Sequence, residues 1–320
     1  MKNLRCFDEG GPNHTVKKKK IEHVQVRTFN KKTNIFFNIM VGLFAFSCIF
    51  PFLFVIIISF TSETSLITNG YALWPSEWSI QGYTYLADLK DQIIQSLFIT
   101  VFVTVIGTFI NVAFTSSYAY AISRPNFRYK RFFTIFALIT MLFSPGMVPS
   151  YIVMTNMLQL KDTVWALILP MALSPFNIIV MRTFFRRQVP ESIIESSRID
   201  GASEMRIFTQ IVLPLAVPGI ATISLFAALG YWNDWFNALL YIQSDNLVPL
   251  QYLLMKIQSN IDFMTQNAGL SGNLSGGLAA IPKEATRMAM VVISTLPIAC
   301  SYPFFQRYFV SGLTIGGVKE

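Results

Sequence analysis

The sequence predicts an all-α membrane protein that crosses the bilayer six times, and three observations predict it. Of 320 residues, 53% are hydrophobic and only 13% charged, with a mean hydropathy of +0.49, whereas a soluble domain carries about 25% charged residues. Six apolar stretches, near 35–60, 92–121, 132–157, 163–185, 213–241 and 287–310, reach the roughly 20 residues that a helix needs to cross the hydrocarbon core. The basic residues between them are unequally shared, which gives the stretches an orientation. The same composition excludes a disordered chain. Three scattered cysteines, Cys6, Cys48 and Cys300, exclude a disulfide scaffold.

Taken in order, the first stretch opens Ile35-Phe36-Phe37 and the second contains Leu97-Phe98-Ile99-Thr100-Val101-Phe102. Ser144-Pro145-Gly146 interrupts the third, and an amphipathic piece is expected after it. The fifth begins at Leu213-Pro214 and the sixth carries Val291-Val292-Ile293. With the N-terminus inside, segments 1–34, 122–131, 182–206 and the end beyond 306 hold 9, 4, 5 and 2 basic residues. The outer loops share only Lys90, Lys161, Lys256, Lys283 and Arg287. Both termini are therefore expected in the cytoplasm. The chain divides into a basic tail (1–34), a transmembrane body (35–311) with an inner loop at 186–212 and an outer loop at 244–286, and a short tail (312–320). Lys17-Lys18-Lys19-Lys20 reads as an orientation signal that touches anionic membrane lipids. No nucleic-acid arm is expected, because no aromatic residues interleave these lysines. The first apolar run begins too far from Met1 for a cleaved signal peptide.

A search for catalytic chemistry finds little. His14 and His23 both lie in the polar tail, so no histidine triad or zinc site forms within the membrane. Gly316-Gly317-Val318-Lys319 lacks the spacing and the hydroxyl residue of a phosphate loop. No pair of carboxylates lies inside the stretches to act as acid and base. Uphill transport by this chain would need a nucleotide hydrolysed elsewhere.

The inner loop has a definite local grammar. After Arg186-Arg187-Gln188-Val189, Pro190 suits the first position of a helix and Glu191 its positive end. Ile193 and Ile194 supply an apolar edge, Gly201 can take the left-handed conformation that stops the helix, and Ser203 can cap a second one. Two short helices with a tight bend make a protruding elbow or, more plainly, an interfacial amphipathic hairpin. The run Glu195-Ser196-Ser197-Arg198-Ile199-Asp200-Gly201-Ala202, followed by Leu213-Pro214, resembles the EAA loop of binding-protein-dependent ABC importer permeases. Ser196 and Ser197 stand where that family has two alanines. Trp232-Asn233-Asp234-Trp235-Phe236-Asn237 and the ending from Pro303 to Lys319 look like the maltose-type sugar permeases. Val248-Pro249-Leu250-Gln251-Tyr252-Leu253-Leu254 and Pro282-Lys283-Glu284-Ala285-Thr286-Arg287 look most like the branch that handles oligosaccharides from complex glycans.

The resemblance implies a bacterial cytoplasmic-membrane subunit that is not an enzyme. It implies a second homologous permease, two ATPase subunits and an extracytoplasmic sugar-binding protein as partners. No cofactor would be bound here, since ATP and magnesium would sit on the ATPase. Glu195, Ser196, Ser197, Asp200, Gly201, Ala202, Leu213 and Pro214 would form the coupling surface. The sugar would pass by alternating access. An ion-gradient-driven sugar transporter and an ABC permease for a non-sugar solute stay open as alternatives. The first would show internal repeats and mid-membrane charges, and the sequence shows neither clearly.

Residues for a solute path follow from periodicity. Thr100, Thr104, Thr108, Asn111 and Thr115 share one helical face. That face suits either a polyol-like solute or hydrogen bonding between helices. Asp234, beside Trp232, Asn233 and Asn237 near the outer end of the fifth stretch, suits either a sugar contact or an interfacial anchor. In the outer loop, Gly269, Gly272, Gly276 and Gly277 mark turns, while Leu250, Tyr252, Leu253 and Leu254 look like surface made to be covered. By resemblance this loop would meet the binding protein.

Overall fold

The computed structural model describes residues 31–143, 145–267 and 282–317. The lysine run at 17–20, the four loop glycines and the last three residues lie outside the described residues. Fifteen α-helices follow in order among those described: α1 (Lys31–Ser59), α2 (Glu63–Asn69), α3 (Gln81–Asp88), α4 (Lys90–Ser123), α5 (Lys130–Leu142), α6 (Met147–Ile152), α7 (Val164–Ile168), α8 (Pro175–Gln188), α9 (Glu191–Ile199), α10 (Glu204–Ile207), α11 (Leu213–Leu215), α12 (Val217–Trp232), α13 (Phe236–Tyr241), α14 (Leu250–Asn267) and α15 (Lys283–Gly317). Among the described residues no strand forms, and the sole β-bridge joins Thr61 to Trp78.

The chain divides into two compact units at Pro51. The described part of the first is the opening of α1, whose apolar side chains are exposed all round its axis, as in a helix solvated by lipid. In the second unit, α4 is the central pillar: it packs along α8 and α12 and also touches α5, α7 and α14. Its 34 residues extend about 50 Å, against about 30 Å of hydrocarbon. Two buried clusters follow each other along it. One gathers Val103, Leu167, Tyr231, Leu250 and Ile261. The other gathers Ile122, Met181, Phe185, Ile194 and Ile207.

Three helices are long and apolar enough to cross a membrane alone, at Lys32–Ser59, Lys90–Ser123 and Lys283–Pro303. Three further segments pass that test only as bent pairs: α5 with Met147–Met157 at 112°, Val164–Met171 with α8 at 53°, and Glu204–Leu215 with α12 at 82°. The break at 144–146 matches the expectation, with Gly146 at φ +84°. The fourth and fifth apolar stretches differ from it, since neither is one helix. Pro175 begins α8, whose free Asn177 amide is taken by the Ser174 hydroxyl at 3.4 Å. Pro218 stands in the first turn of α12, so the helix starts after Ala216 and not at Leu213. That helix stops at Trp232, and residues 233–235 separate it from α13.

The outer-loop leucines also differ from expectation. Leu250, Leu253, Leu254, Ile257 and Ile261 fall at helical spacing on α14 and are buried in this chain's own core. Their cover is internal.

Two local devices hold this frame. Asp162, itself at φ +59°, accepts the Gln243 and Ser244 amides at 2.9 Å each and the Ser244 hydroxyl, while its own amide donates to Tyr241 O at 2.9 Å. Gly107 lets α4 approach α12 face to face: a Cβ there would lie 2.6 Å from Cζ of Tyr231, whose hydroxyl donates to Ile168 O at 2.8 Å.

Each device gives an expected outcome. The Ser244 hydroxyl, followed by the Ser244 and Gln243 amides, holds the Asp162 carboxyl below its usual range. A depressed carboxylate stabilises the fold fully above its unfolded value of about 3.9, and the contribution fades as pH falls through the lower folded value. Protection of the Gln243 and Ser244 amides from hydrogen exchange, relative to their intrinsic rates, should hold from pH 7 to pH 5 and fall only below about pH 4. An Asp162→Asn chain should lose that acid step; a step that persists in it rules out Asp162 as the cause. Gly107→Ala should displace the Tyr231 ring and destabilise the protein by about 1–3 kcal/mol. Unchanged thermal unfolding in detergent would contradict the packing described.

Candidate functional site

The elbow is built from three short pieces on a buried base. Val189 ends α8, and Pro190 takes the N-cap position one residue before the helix, with Glu191 as the first helical residue. At the far end of α9, Asp200 is the C-cap and Gly201 adopts φ +81°. The Gly201 amide donates to Arg198 O and the Ala202 amide to Ser197 O, both at 3.0 Å. This pair of bonds is a Schellman closure, and its left-handed residue is glycine because a Cβ is unfavourable there. Ser203 then caps α10 by accepting the Arg206 amide at 3.4 Å. Ile194 of α9 and Ile207 of α10 are both fully buried, against Phe185, Met181 and Ile122.

Charged and aromatic groups stiffen the assembly from the end of α4. The Arg124 guanidinium donates Nη1–H to Glu191 Oε2 at 3.2 Å and Nε–H to the Ser123 hydroxyl, and it lies 5.1 Å from the centre of the Tyr120 ring. Burial pulls the Arg124 pKa down and Glu191 opposes that pull. Arg198 donates to Glu204 Oε1 at 2.7 Å, and the Tyr120 hydroxyl donates to Glu204 Oε2 at 3.1 Å. Hydrogen bonding to Glu204 raises the Arg198 pKa. One carboxylate thus ties α9 to α10 and both to α4. The Tyr120 ring also packs on Phe208, with centres 4.9 Å apart.

The expected coupling residues fall on different sides of this structure. Glu195, Ser196, Asp200, Gly201 and Pro214 are exposed, while Ser197, Ala202 and Leu213 are half-buried. The Ser196 and Ser197 hydroxyls both return to Ile193 O, at 3.0 and 2.6 Å. Sequence reasoning passed over Ile199 and Met205, which flank the Gly201 bend and are 86% and 69% exposed. The available signal was phase: each is an apolar residue off the face that buries Ile194 and Ile207.

The hydroxyl-bearing face of α4 divides into two uses. Thr100 accepts the Leu250 amide at 2.7 Å and donates to Ser96 O. Asn111 donates to Met171 O at 2.8 Å and accepts from Asn177, and Thr115 donates back to Asn111 at 3.4 Å. Thr104 and Thr108 have buried hydroxyls with no partner among the described residues. They line a cavity of about 460 Å³ between α4, α12 and α15, together with Ser224, Trp232, Pro297 and Ser301. Trp232 joins them there; Asn111, Asn233, Asp234 and Asn237 do not line it. Asp234 instead accepts the Asn237 amide at 3.2 Å and its side-chain NH₂ at 2.8 Å, which fixes the start of α13. Asn233 donates to Leu229 O at 2.9 Å.

The Arg124–Glu191 pair is separable by mutation. Glu191→Ala leaves a mostly buried cation without its anion and should cost about 1–3 kcal/mol, below the fully buried value because Glu191 is partly exposed. The double change Arg124→Met with Glu191→Leu should cost less than the single one in a thermal-unfolding cycle. Equal costs would show that the charge pair does not hold the elbow.

The family model for the binding-protein-dependent transport system inner membrane component matches residues 113–315. The chain is 39% identical over 271 residues to Protein LplC of Bacillus subtilis (strain 168), covering 85% of this chain and 89% of that protein. It is 39% identical over 279 residues to the polygalacturonan/rhamnogalacturonan transport system permease protein YtcP of the same strain, covering 87% and 94%. Its fold matches a chain in the crystal structure of a bacterial ABC transporter involved in the import of the acidic polysaccharide alginate, with a TM-score of 0.73, 28% identity and coverage of 88% and 99%. A match over more than half its length, with two relatives this similar along nearly all of theirs, makes the chain a member of the family of binding-protein-dependent transport system inner membrane components.

Proposed function

We propose that this chain is one permease subunit of an ATP-driven importer that moves an oligosaccharide fragment of a complex glycan, delivered by an extracytoplasmic binding protein. As an ABC permease component it is not an enzyme, and the nucleotide is hydrolysed on separate subunits. In this reading each bent pair crosses the bilayer once, giving six spans with both termini and the elbow inside. The charge asymmetry of the loops supports that orientation. The names of relatives concerned with polygalacturonan, rhamnogalacturonan and alginate support the glycan cargo.

The observation that carries the mechanism is the braced elbow. Its base is buried and tied to α4, while Glu195, Ser196, Ile199, Asp200 and Met205 stand exposed around Gly201. Exposed apolar side chains rimmed by polar ones are the surface of a protein contact. An ATPase gripping this knob would turn α9, α10 and the end of α4 as one body. The spans would then rock about their breaks, opening the cavity at Thr104 and Thr108 to one side and then the other. A second, homologous permease would complete the path, and the sugar would pass chemically unchanged.

A zero-length or short crosslinker placed at Ser196→Cys in intact vesicles should capture the ATPase. Gly201→Asp should leave the chain inserted and folded, because its Cβ position is open, while straining the left-handed bend by about 1–2 kcal/mol. Uptake should fall at least about tenfold relative to ATP hydrolysis. Full uptake by Gly201→Asp, or no capture of an ATPase, would sink the reading. Uptake that persists after ATP depletion and stops with an ionophore would favour the ion-gradient alternative.

A further inference from the structure

A second cavity, of about 410 Å³, lies between the 233–235 break, α14 and α15 and is lined by Trp235, Gln251, Gln258, Arg287, Met290 and Ser294 among others. Helix α15 runs past both cavities, presenting Arg287 and Ser294 to this one and Pro297 and Ser301 to the other. Trp232 lines the first cavity only, and its Nε1–H donates at 3.2 Å to the carbonyl of Ser294, a residue that lines the second.

The lining has a recognisable chemistry. The Trp235 indole is 40% exposed and offers an apolar plane. Among the described residues the Gln251 side chain has only a long 3.5 Å bond to Asn233, and Ser294 donates its proton to Val291 O but keeps its oxygen as an acceptor. Gln258 donates to Asp262 at 2.9 Å, yet its Oε1 is buried with no partner among the described residues. A buried acceptor left bare calls for a donor. Arg287 is already held by carboxylates: Nη1 meets Glu284 at 3.1 and 3.2 Å and Nη2 meets Asp262 at 3.4 Å, while Lys283 shares Asp262 at 3.2 Å. Its charge is offset, so it is an oriented donor and not a free cation awaiting an anion.

We propose that this pocket is a saccharide-ring station next to Trp232, reading the ring and its hydroxyls and not a carboxylate. An apolar plane with planar amides and an oriented guanidinium suits a pyranose, which has one face of C–H bonds and an edge of hydroxyls. A site selective for uronate charge would instead leave its guanidinium unpaired. The station deepens the glycan-import reading and rests on it: a ring would wait here before passing Trp232 into the cavity at Thr104 and Thr108.

The test uses the assembled transporter in vesicles, with Cys6, Cys48 and Cys300 replaced by serine and Gln251→Cys as the reporter. The probes are trigalacturonate and its methyl ester, which share rings and differ in charge. Both should slow labelling of the new thiol by a small methanethiosulfonate reagent by about fivefold or more at saturation. Trp235→Ala in the same background should abolish the protection, and Trp235→Phe should keep most of it. No protection by either probe overturns the station even where the transporter imports them. Protection confined to the free acid overturns it too, by assigning the pocket to the carboxylate. Protection without ATP-dependent uptake supports the station and counts against the import reading alone.

Discussion

Backbone groups at membrane depth have no water to turn to, so each break in a helix must be repaired by the protein itself. This chain breaks its spans repeatedly, and α4 supplies much of the repair. Thr100 receives the Leu250 amide where α14 begins, and Asn111 donates to Met171 O where the α7 segment ends. From α12, Tyr231 donates to Ile168 O in the same broken region. Ser174 and Asp234 close the starts of α8 and α13 locally. The polar residues of the transmembrane body are therefore mainly a mending kit. Thr104 and Thr108 are the part of the α4 stripe left facing open space.

The elbow meets a different constraint, because its helices are short. Short helices have little stability of their own. α9 has nine residues and α10 four, so tertiary contacts have to hold them. Ile194 and Ile207 anchor them from below, and Glu204 binds Arg198 and Tyr120 from the side. Arg124 then ties the first turn of α9 to the end of the central pillar. In the proposed mechanism a rotation of the knob would pass to α4 through these contacts, and α4 packs against α5, α7, α8, α12 and α14.

Much of this was legible in the residues. The apolar runs located the spans, Pro145-Gly146 located one break, and Gly201 located the elbow's bend. The breaks at 172–174 and at 216 were hidden, because hydropathy averages composition and is blind to which backbone groups find partners. Pro175 and Pro218 are each compatible with a helix start as well as a kink. The fate of Leu250, Leu253 and Leu254 was hidden for a different reason. A helical apolar stripe says that a face is covered, but not whether the cover is the same chain or another. Asp234 reads from sequence as a ligand contact or an anchor, and its geometry shows a carboxylate occupied in capping.

The two cavities gain their meaning from where the breaks lie. α12 ends at Trp232, which lines the first cavity and donates to Ser294 O at the second. An unbroken helix from 217 to 241 would carry the indole ring and Trp235 on a rigid rod, with no freedom to move one against the other. The interruption at 233–235, held by Asn233 and Asp234, instead leaves Trp232 at the end of α12 and Trp235 in the break itself. Breaks of a few residues can absorb backbone rotation while the packed segments on either side stay intact. In the proposed mechanism a shift of α4 at the elbow would reach α12 through the close contact at Gly107 and Tyr231. Tyr231 immediately precedes Trp232, which lines the cavity at Thr104 and Thr108. The contact that lets α4 and α12 pack densely is thus next in sequence to the wall of that cavity.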